Sequence, residues 1–125
     1  MTFKKILDHH RIRRTHNRFG FIPHRFLRDG FLSSLKRDER VLYLFYVLAA
    51  DRFGVSFYGD RRICKMLGFS LEELCRVRDG LTYKNLICRD DPLCQLLELP
   101  DTPVIEDLKE PKIHSFANLN KCLQR

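Results

Sequence analysis

The sequence predicts a mainly α-helical domain of the α+β class that carries a small two-stranded β-hairpin. The chain has 125 residues, below the length at which a hydrophobic core usually divides. Hydrophobic residues make up 44% of it, enough to build one core. Helical apolar spacing dominates up to residue 81, whereas two short β-type runs flank a tight turn near Pro92.

Charge divides the chain into three predicted parts: a basic flexible arm (1–18), a folded domain (19–99) and a Pro-containing, acidic, mostly mobile tail (100–125). The first 30 residues hold eight Lys or Arg and two Asp, a net charge of +6. Residues 98–110 hold five Asp or Glu and one Lys, a net charge of −4. A basic arm favours a polyanionic partner, above all nucleic acid. The alternative is that it only keeps the chain soluble.

A short helix is predicted over Pro23–Asp29. Pro23 suits a first helical turn, because its fixed φ is helical and its missing N–H has no partner there anyway. Gly30 then closes the helix. We expect Phe26 and Leu27 to pack on the core.

A long helix is predicted to follow, capped by Ser33 or Ser34 and ended near Phe53 by Gly54. Its apolar residues fall on two faces, with Leu35, Leu42, Phe45, Ala49 and Phe53 on one and Tyr43, Val47 and Ala50 on the other. Two explanations stay open. Either the helix is covered on most sides by residues 19–31, or the stretch Ser34 to Phe53 also forms a homodimer interface.

The central part of the chain predicts a short strand over 54–58 and two helices joined by a tight turn. Asp60 can cap the first helix, Arg61–Leu67, and Gly68 breaks it. Ser70 can cap the second helix, with Glu73 at the capping-box position. The predicted inner face of this second helix consists of Leu71, Leu74, Val77 and Leu81, and Cys75, Arg76 and Asp79 are expected to point elsewhere.

Two strands, 86–89 and 93–99, are predicted on either side of the turn Asp90-Asp91-Pro92. The whole order is helix, strand, helix, turn, helix and hairpin. The residues from Ile63 to Leu81, followed by Asn85-Leu86-Ile87, resemble the winged helix-turn-helix of MarR-like regulators and of the N-terminal domains of plasmid and phage replication initiators. The resemblance covers residues 33–99.

The resemblance implies that residues 70–78 form a recognition helix that enters the major groove of double-stranded DNA. Glu72 and Glu73 at its start are unusual for a DNA reader, and their other role is to complement the helix dipole. We predict that DNA is contacted by eleven polar residues of the arm and the two central helices. They are Arg11, Arg13, Arg14, Arg18, Arg61, Arg62, Lys65, Ser70, Arg76, Arg78 and Lys84.

The predicted function is sequence-specific binding of double-stranded DNA, in a regulatory or accessory role that the resemblance places on a mobile element or replicon. The alternative is a winged-helix adaptor that binds a partner protein without touching DNA. Binding of single strands through exposed aromatic residues ranks lower, because most aromatic residues are expected on core faces.

Enzymatic activity, metal binding and a cofactor are not expected. The sequence has no recognisable nucleophile arrangement and no Gly-rich phosphate loop. His9, His10, His16 and His24 have no metal-ligand spacing. Five cysteines without a Cys-x-x-Cys pair indicate reduced, mostly buried thiols. The longest apolar run is too short to span a bilayer, so we expect no membrane partner and a cytoplasmic location, with the nucleoid as the site if DNA is bound.

Overall fold

The computed structural model of the protein describes residues 4–11 and 20–106. These residues form an α+β domain with five helices and one three-stranded antiparallel sheet. The elements in chain order are α1 (Arg25–Arg28), α2 (Phe31–Ser34), α3 (Arg37–Ala49), β1 (Val55–Phe57), α4 (Asp60–Leu67), α5 (Leu71–Tyr83), β2 (Ile87–Asp90) and β3 (Leu93–Leu96).

The last strand lies in the centre of the sheet, because the strand order is β1-β3-β2. β2 and β3 form the predicted hairpin, in which Ile87 pairs with Leu96 and Asp90 pairs with Leu93. β1 joins the other edge of β3, with Ser56 opposite Cys94. The hairpin is therefore hydrogen-bonded to the segment that precedes α4. The sheet packs against α3 through β1 and β3, and against α5 through β2.

The long helix is shorter than predicted at both ends. Ser33 and Ser34 do not cap it, because their hydroxyls donate to the carbonyls of Gly30 and Phe31 within α2. α3 begins instead after Lys36, whose backbone N–H donates to the Glu39 carboxylate. At the other end, the Asp51 side chain accepts from the backbone N–H groups of residues 53 and 55. This Asx-type turn stops the helix before Phe53.

The predicted helix over Pro23–Asp29 is confirmed in its central turn, where α1 forms. Phe26 is buried and its ring stacks on Tyr43 of α3, with the centroids 4.7 Å apart. The expectation for Leu27 was wrong, since 70% of that side chain is exposed. α1 has only four residues and packs on the core through one side. Phe26 lies on that side, so Leu27, the next residue, points away from the core.

α5 is the most deeply enclosed helix of the domain. Leu74, Val77 and Leu81 are buried as predicted, whereas Leu71 is 38% exposed. The expectation that Cys75 and Asp79 point away from the core was wrong, because both are buried. The reason is that α5 packs against α3, α4 and β2, so its covered surface extends well beyond one apolar stripe.

α3 and α5 cross closely around a buried ion pair. The ammonium group of Lys84 lies 2.5 Å from Oε1 of Glu39, and both side chains are almost fully buried. The same ammonium group donates to the Ser34 carbonyl. Gly80 makes this approach possible, since a Cβ there would collide with the other carboxylate oxygen of Glu39.

The packed part of the chain extends past Pro100, where the domain was predicted to end. The Arg25 guanidinium donates to the backbone carbonyls of Leu99, Pro100 and Asp101. Glu106 lies 3.2 Å from the Lys36 ammonium. Arg25 and Lys36 therefore bind residues 99–106 to the domain, and the rest of the predicted tail lies outside the described residues.

Leu74 tests the anchorage of α5. Replacing this fully buried residue by Ala should lower the free energy of unfolding by about 2–4 kcal/mol, because it removes apolar contacts and leaves a cavity. Urea denaturation measures this loss. Leu71→Ala, one turn earlier and partly exposed, should cost much less, and equal losses for the two variants would show that the helix phase is wrong.

Gly80 tests the crossing of α3 and α5. An exposed helical Gly→Ala change usually stabilises a protein by roughly 0.5–1 kcal/mol. Here we expect Gly80→Ala to destabilise the fold by about 1–3 kcal/mol, because the new methyl group collides with Glu39. Gly59→Ala, where a Cβ meets nothing within 4 Å, is the control. A gain in stability for Gly80→Ala would contradict the close crossing.

Candidate nucleic-acid interface

The exposed side of α4 carries a compact group of cations. Arg61, Arg62 and Lys65 are all exposed, whereas Ile63 on the opposite side is buried. Arg61 and Lys65 lie one helical turn apart and so share a face. The Arg62 guanidinium sits 5.0 Å from the centre of the Tyr58 ring, a cation–π contact that restricts its orientation.

Gly68 and Ser70 shape the turn that joins α4 to α5. Gly68 ends α4 in the left-handed conformation, with φ at +74°, which only glycine adopts without strain. The Ser70 hydroxyl accepts from the Glu73 backbone N–H, and the Glu73 carboxylate accepts from the Ser70 N–H. Hydrogen bonding of the Glu73 carboxylate, first to the Ser70 backbone N–H and then to the Ser70 side chain, holds the pKa of Glu73 below its usual value. The predicted capping box is confirmed.

The solvent-facing side of α5 carries no excess of positive charge. Glu72 and Arg76 are exposed and lie four residues apart, where opposite charges attract each other. Tyr83 lies further along the same side and is 49% exposed. Together with Glu73, whose bonds to Ser70 lie at the surface, this side offers two carboxylates, one guanidinium and one phenol to a partner, with no excess of positive charge.

Arg78, predicted to contact DNA, is buried instead. Only 2% of its side chain is exposed, and its guanidinium donates to both carboxylate oxygens of Asp60 at 2.7 and 3.3 Å. The physical reason is its helical phase. Arg78 follows Leu74 by four residues and precedes Leu81 by three, which places it on the covered side of α5. Its charge joins α5 to the first turn of α4.

Lys84 is the second predicted contact residue that the structure places in the interior. Its ammonium group is enclosed by Glu39, Glu106 and the Ser34 carbonyl. A buried ammonium requires such partners, because an unpaired charge in the core is strongly unfavourable. Lys84 thus belongs to the α3–α5 crossing and is not available to a phosphate.

The residues predicted from the arm are described only in part. Arg11 is described and exposed. Arg13, Arg14 and Arg18 lie outside the described residues. Of the eleven predicted contacts, the structure leaves six exposed side chains. These are Arg11, Arg61, Arg62, Lys65, Ser70 and Arg76.

The hairpin turn contributes little positive charge to this surface. Arg89 of β2 is half-buried and lies 3.5 Å from the Asp91 carboxylate. Asp90 is exposed beside it. The charge of Arg89 offsets only one of the two aspartates, so the turn Asp90-Asp91-Pro92 keeps a net negative charge.

Sequence reasoning did not find the partners of the buried cations. Asp60 was expected to cap α4, but Gly59 occupies that position and Asp60 binds Arg78. Glu39 stands 45 residues from Lys84, and no local pattern links the two. The helical phase of Arg78 was one signal that it is buried. Gly80 was another signal, because a glycine inside a helix weakens it and so indicates that a neighbouring element approaches closely.

Four cysteines lie in the described part of the chain, and burial disfavours the thiolate form of two of them, Cys64 and Cys94. Cys75 and Cys94 are buried, Cys64 is half-buried and Cys88 is exposed. Burial raises the pKa of Cys94 to about 11, and it also raises the pKa of Cys64. Within residues 4–11 and 20–106, no group of three His, Cys, Asp or Glu side chains is placed to hold a metal ion. In the same part of the chain, no helix is long and apolar enough to cross a membrane.

Comparison of the chain with protein-family models, with curated proteins and with solved structures finds no match.

Asp60 tests the internal role of Arg78. Asp60→Ala should destabilise the fold by about 2–4 kcal/mol, because it leaves a buried guanidinium without its carboxylate, although the partial exposure of Asp60 reduces the loss. Asp38→Ala is the control, since Asp38 is also in the first turn of a helix but is exposed. Chemical denaturation of both variants measures the free energy of unfolding. Equal small losses of stability for the two variants would show that the Arg78 guanidinium is exposed to solvent.

Proposed function

We propose that residues 36–99 form a winged helix-turn-helix that binds double-stranded DNA through α4 and the first half of α5. The element order from α3 to β3 and the strand order β1-β3-β2 are compatible with this architecture. The observation that carries the proposal is the group of three exposed cations on α4, placed beside the capped start of α5. The setting that we propose is regulatory or accessory, on a mobile element or replicon.

In this proposal α4 supplies affinity. Phosphate contacts dominate the free energy of DNA binding and carry no sequence information. Arg61 and Lys65 lie one turn apart on the same exposed face of α4, so both charges face a duplex that approaches this side of the helix. Arg62, oriented by Tyr58, adds a third cation. The basic arm adds further phosphate contacts.

α5 supplies selectivity in this proposal. A guanidinium can bind both major-groove acceptors of guanine, and a carboxylate can accept from the cytosine amino group. Arg76 and Glu72 are the exposed groups on α5 with that chemistry. The carboxylates of Glu72 and Glu73 offset the charge of Arg76, so α5 adds no nonspecific attraction to DNA. In this proposal α4 and the arm hold the duplex, and α5 discriminates between sequences.

The wing is left out of the proposed interface. Its turn carries Asp90 and Asp91, and Arg89 is already paired with Asp91. Carboxylates at this position would be repelled by phosphates. We therefore expect substitution of Asp90 to leave DNA affinity unchanged or to raise it slightly.

The test is the salt dependence of duplex binding for the full chain. Arg61→Ala combined with Lys65→Ala should weaken binding and flatten the slope of log affinity against log salt by up to about 1.8, since each neutralised phosphate contributes about 0.9. Arg28→Ala combined with Arg40→Ala removes the same charge from exposed positions on α1 and α3, and it should change the slope much less. Fluorescence anisotropy across a salt series gives both slopes.

Equal slopes of log affinity against log salt for the two double variants would show that α4 does not contact DNA. An intact chain that binds no duplex at low salt would contradict the DNA proposal altogether. That second result would favour the adaptor alternative, in which the same fold binds a partner protein.

A further inference from the structure

Two apolar side chains are exposed on either side of the turn that joins α4 to α5. Met66 lies in the last turn of α4 and is 53% exposed, and Leu71 is the first residue of α5 and is 38% exposed. Leu67 and Phe69, between them in the chain, are partly buried and pack against the core. Met66 and Leu71 are therefore the apolar residues that this turn offers to a partner. We call them the apolar turn residues.

The apolar turn residues lie among the groups that the proposed function assigns to DNA. Met66 directly follows Lys65 and shares a side of α4 with Arg62, four residues earlier. Leu71 directly precedes Glu72, which is exposed. A partner of this surface must offer negative charge to α4 and apolar groups to Met66 and Leu71. The major groove of DNA offers both, because phosphates line its edges and the methyl group of thymine projects into it.

We propose that Leu71 and Met66 contact the C5-methyl groups of thymine bases in the major groove. The inference rests on the proposed DNA binding and names bases that the site prefers. Thymine is the only unmodified base that presents a methyl group to the major groove, and apolar side chains are suited to contact it. This contact removes apolar surface from water on both sides. The polar edge of a G·C pair would instead lose hydrogen bonds to water beside Leu71.

The position of Leu71 supports a role in binding over a role in the core. A recognition helix directs its N-terminal residues at the edges of the bases. The capping box of Ser70 and Glu73 makes Leu71 the first residue of α5. Leu74, one turn later, is fully buried, so α5 is anchored in the core without Leu71.

The apolar turn residues complement the polar groups of α5. Arg76 and Glu72 have the hydrogen-bonding chemistry for guanine and cytosine, but neither detects a methyl group. Leu71 and Met66 supply that contact for A·T pairs. Because Leu71 and Glu72 are adjacent in the chain, we expect the preferred sequences to hold thymine close to a G·C pair.

Replacement of thymidine by deoxyuridine tests the inference, because it removes the methyl group and keeps the base pairing and the charge. The probe is a duplex that the full chain selects from a random-sequence pool, made once with thymidine and once with deoxyuridine. Loss of one buried methyl group should weaken binding about fourfold. The full chain should therefore bind the deoxyuridine duplex at least about fourfold more weakly, as measured by fluorescence anisotropy at one salt concentration.

Leu71→Ala and Met66→Ala test which side chains make the contact. In each variant the ratio of the two dissociation constants should fall toward one, because less apolar surface remains to meet the methyl group. Leu44→Ala is the control, since Leu44 is 51% exposed on α3, and it should keep the ratio of the parent. Circular dichroism checks that every variant is folded.

The outcomes separate the inference from the proposed function. Equal affinities of the full chain for the two duplexes, or binding without any sequence preference, would overturn the inference and leave DNA binding by α4 standing. A ratio that neither Leu71→Ala nor Met66→Ala lowers would also overturn it. A full chain that binds no duplex at low salt would overturn the proposed function and the inference together, and would favour a partner protein for the apolar turn residues.

Discussion

Two ion pairs that neutralise buried cations tie α5 to its neighbouring helices, and the surface of the domain depends on them. Lys84 binds Glu39 of α3, and Arg78 binds Asp60 of α4. A charge taken out of water must keep its partner, since the loss of one member leaves the other unpaired in the core. The two pairs therefore hold α5 to both neighbouring helices and also set its rotation. That rotation decides that Glu72, Arg76 and Tyr83 face solvent.

This constraint separates the basic residues predicted to contact DNA between positions 61 and 84 into an inner set and an outer set. The inner set is Arg78 and Lys84, which stabilise the arrangement of helices. The outer set is Arg61, Arg62, Lys65 and Arg76, which remain exposed beside the capped turn. The net charge of +7 counts every cation alike, although a buried and paired cation contributes little to the attraction of a polyanion. The proposed DNA surface is for this reason smaller than the sequence alone indicates, and it centres on α4.

Local signals in the sequence predicted local structure well. Ser70 and Glu73 form the predicted capping box, Gly68 ends α4, and the turn before Pro92 forms a hairpin. Each of these features depends on residues a few positions apart. The ends of α3 were predicted incorrectly because Ser34 and Asp51 bond to nearby backbone groups in ways that compete with the helix. Residue type alone does not show which of these bonds forms.

Features that depend on distant parts of the chain could not be predicted in the same way. The partnership of Glu39 with Lys84 joins two helices whose crossing no local pattern specifies. The burial of Asp79 follows from the number of elements packed on α5. Arg78 is different, because its spacing from Leu74 and Leu81 already indicated the covered side. The proposed winged-helix architecture, the DNA partner and the role of the basic arm remain predictions.

An NMR titration of the 15N-labelled chain with a mixed-sequence duplex tests the separation of inner and outer cations most directly. If the exposed cations bind DNA, amide signals of α4 and of the first half of α5 should shift as DNA is added, together with the Arg61 and Arg62 side-chain Nε–H signals. The Nε–H signal of Arg78 should stay in place, because its guanidinium remains on Asp60. A shift of the Arg78 signal as large as those of α4, or shifts confined to other elements, would contradict the account.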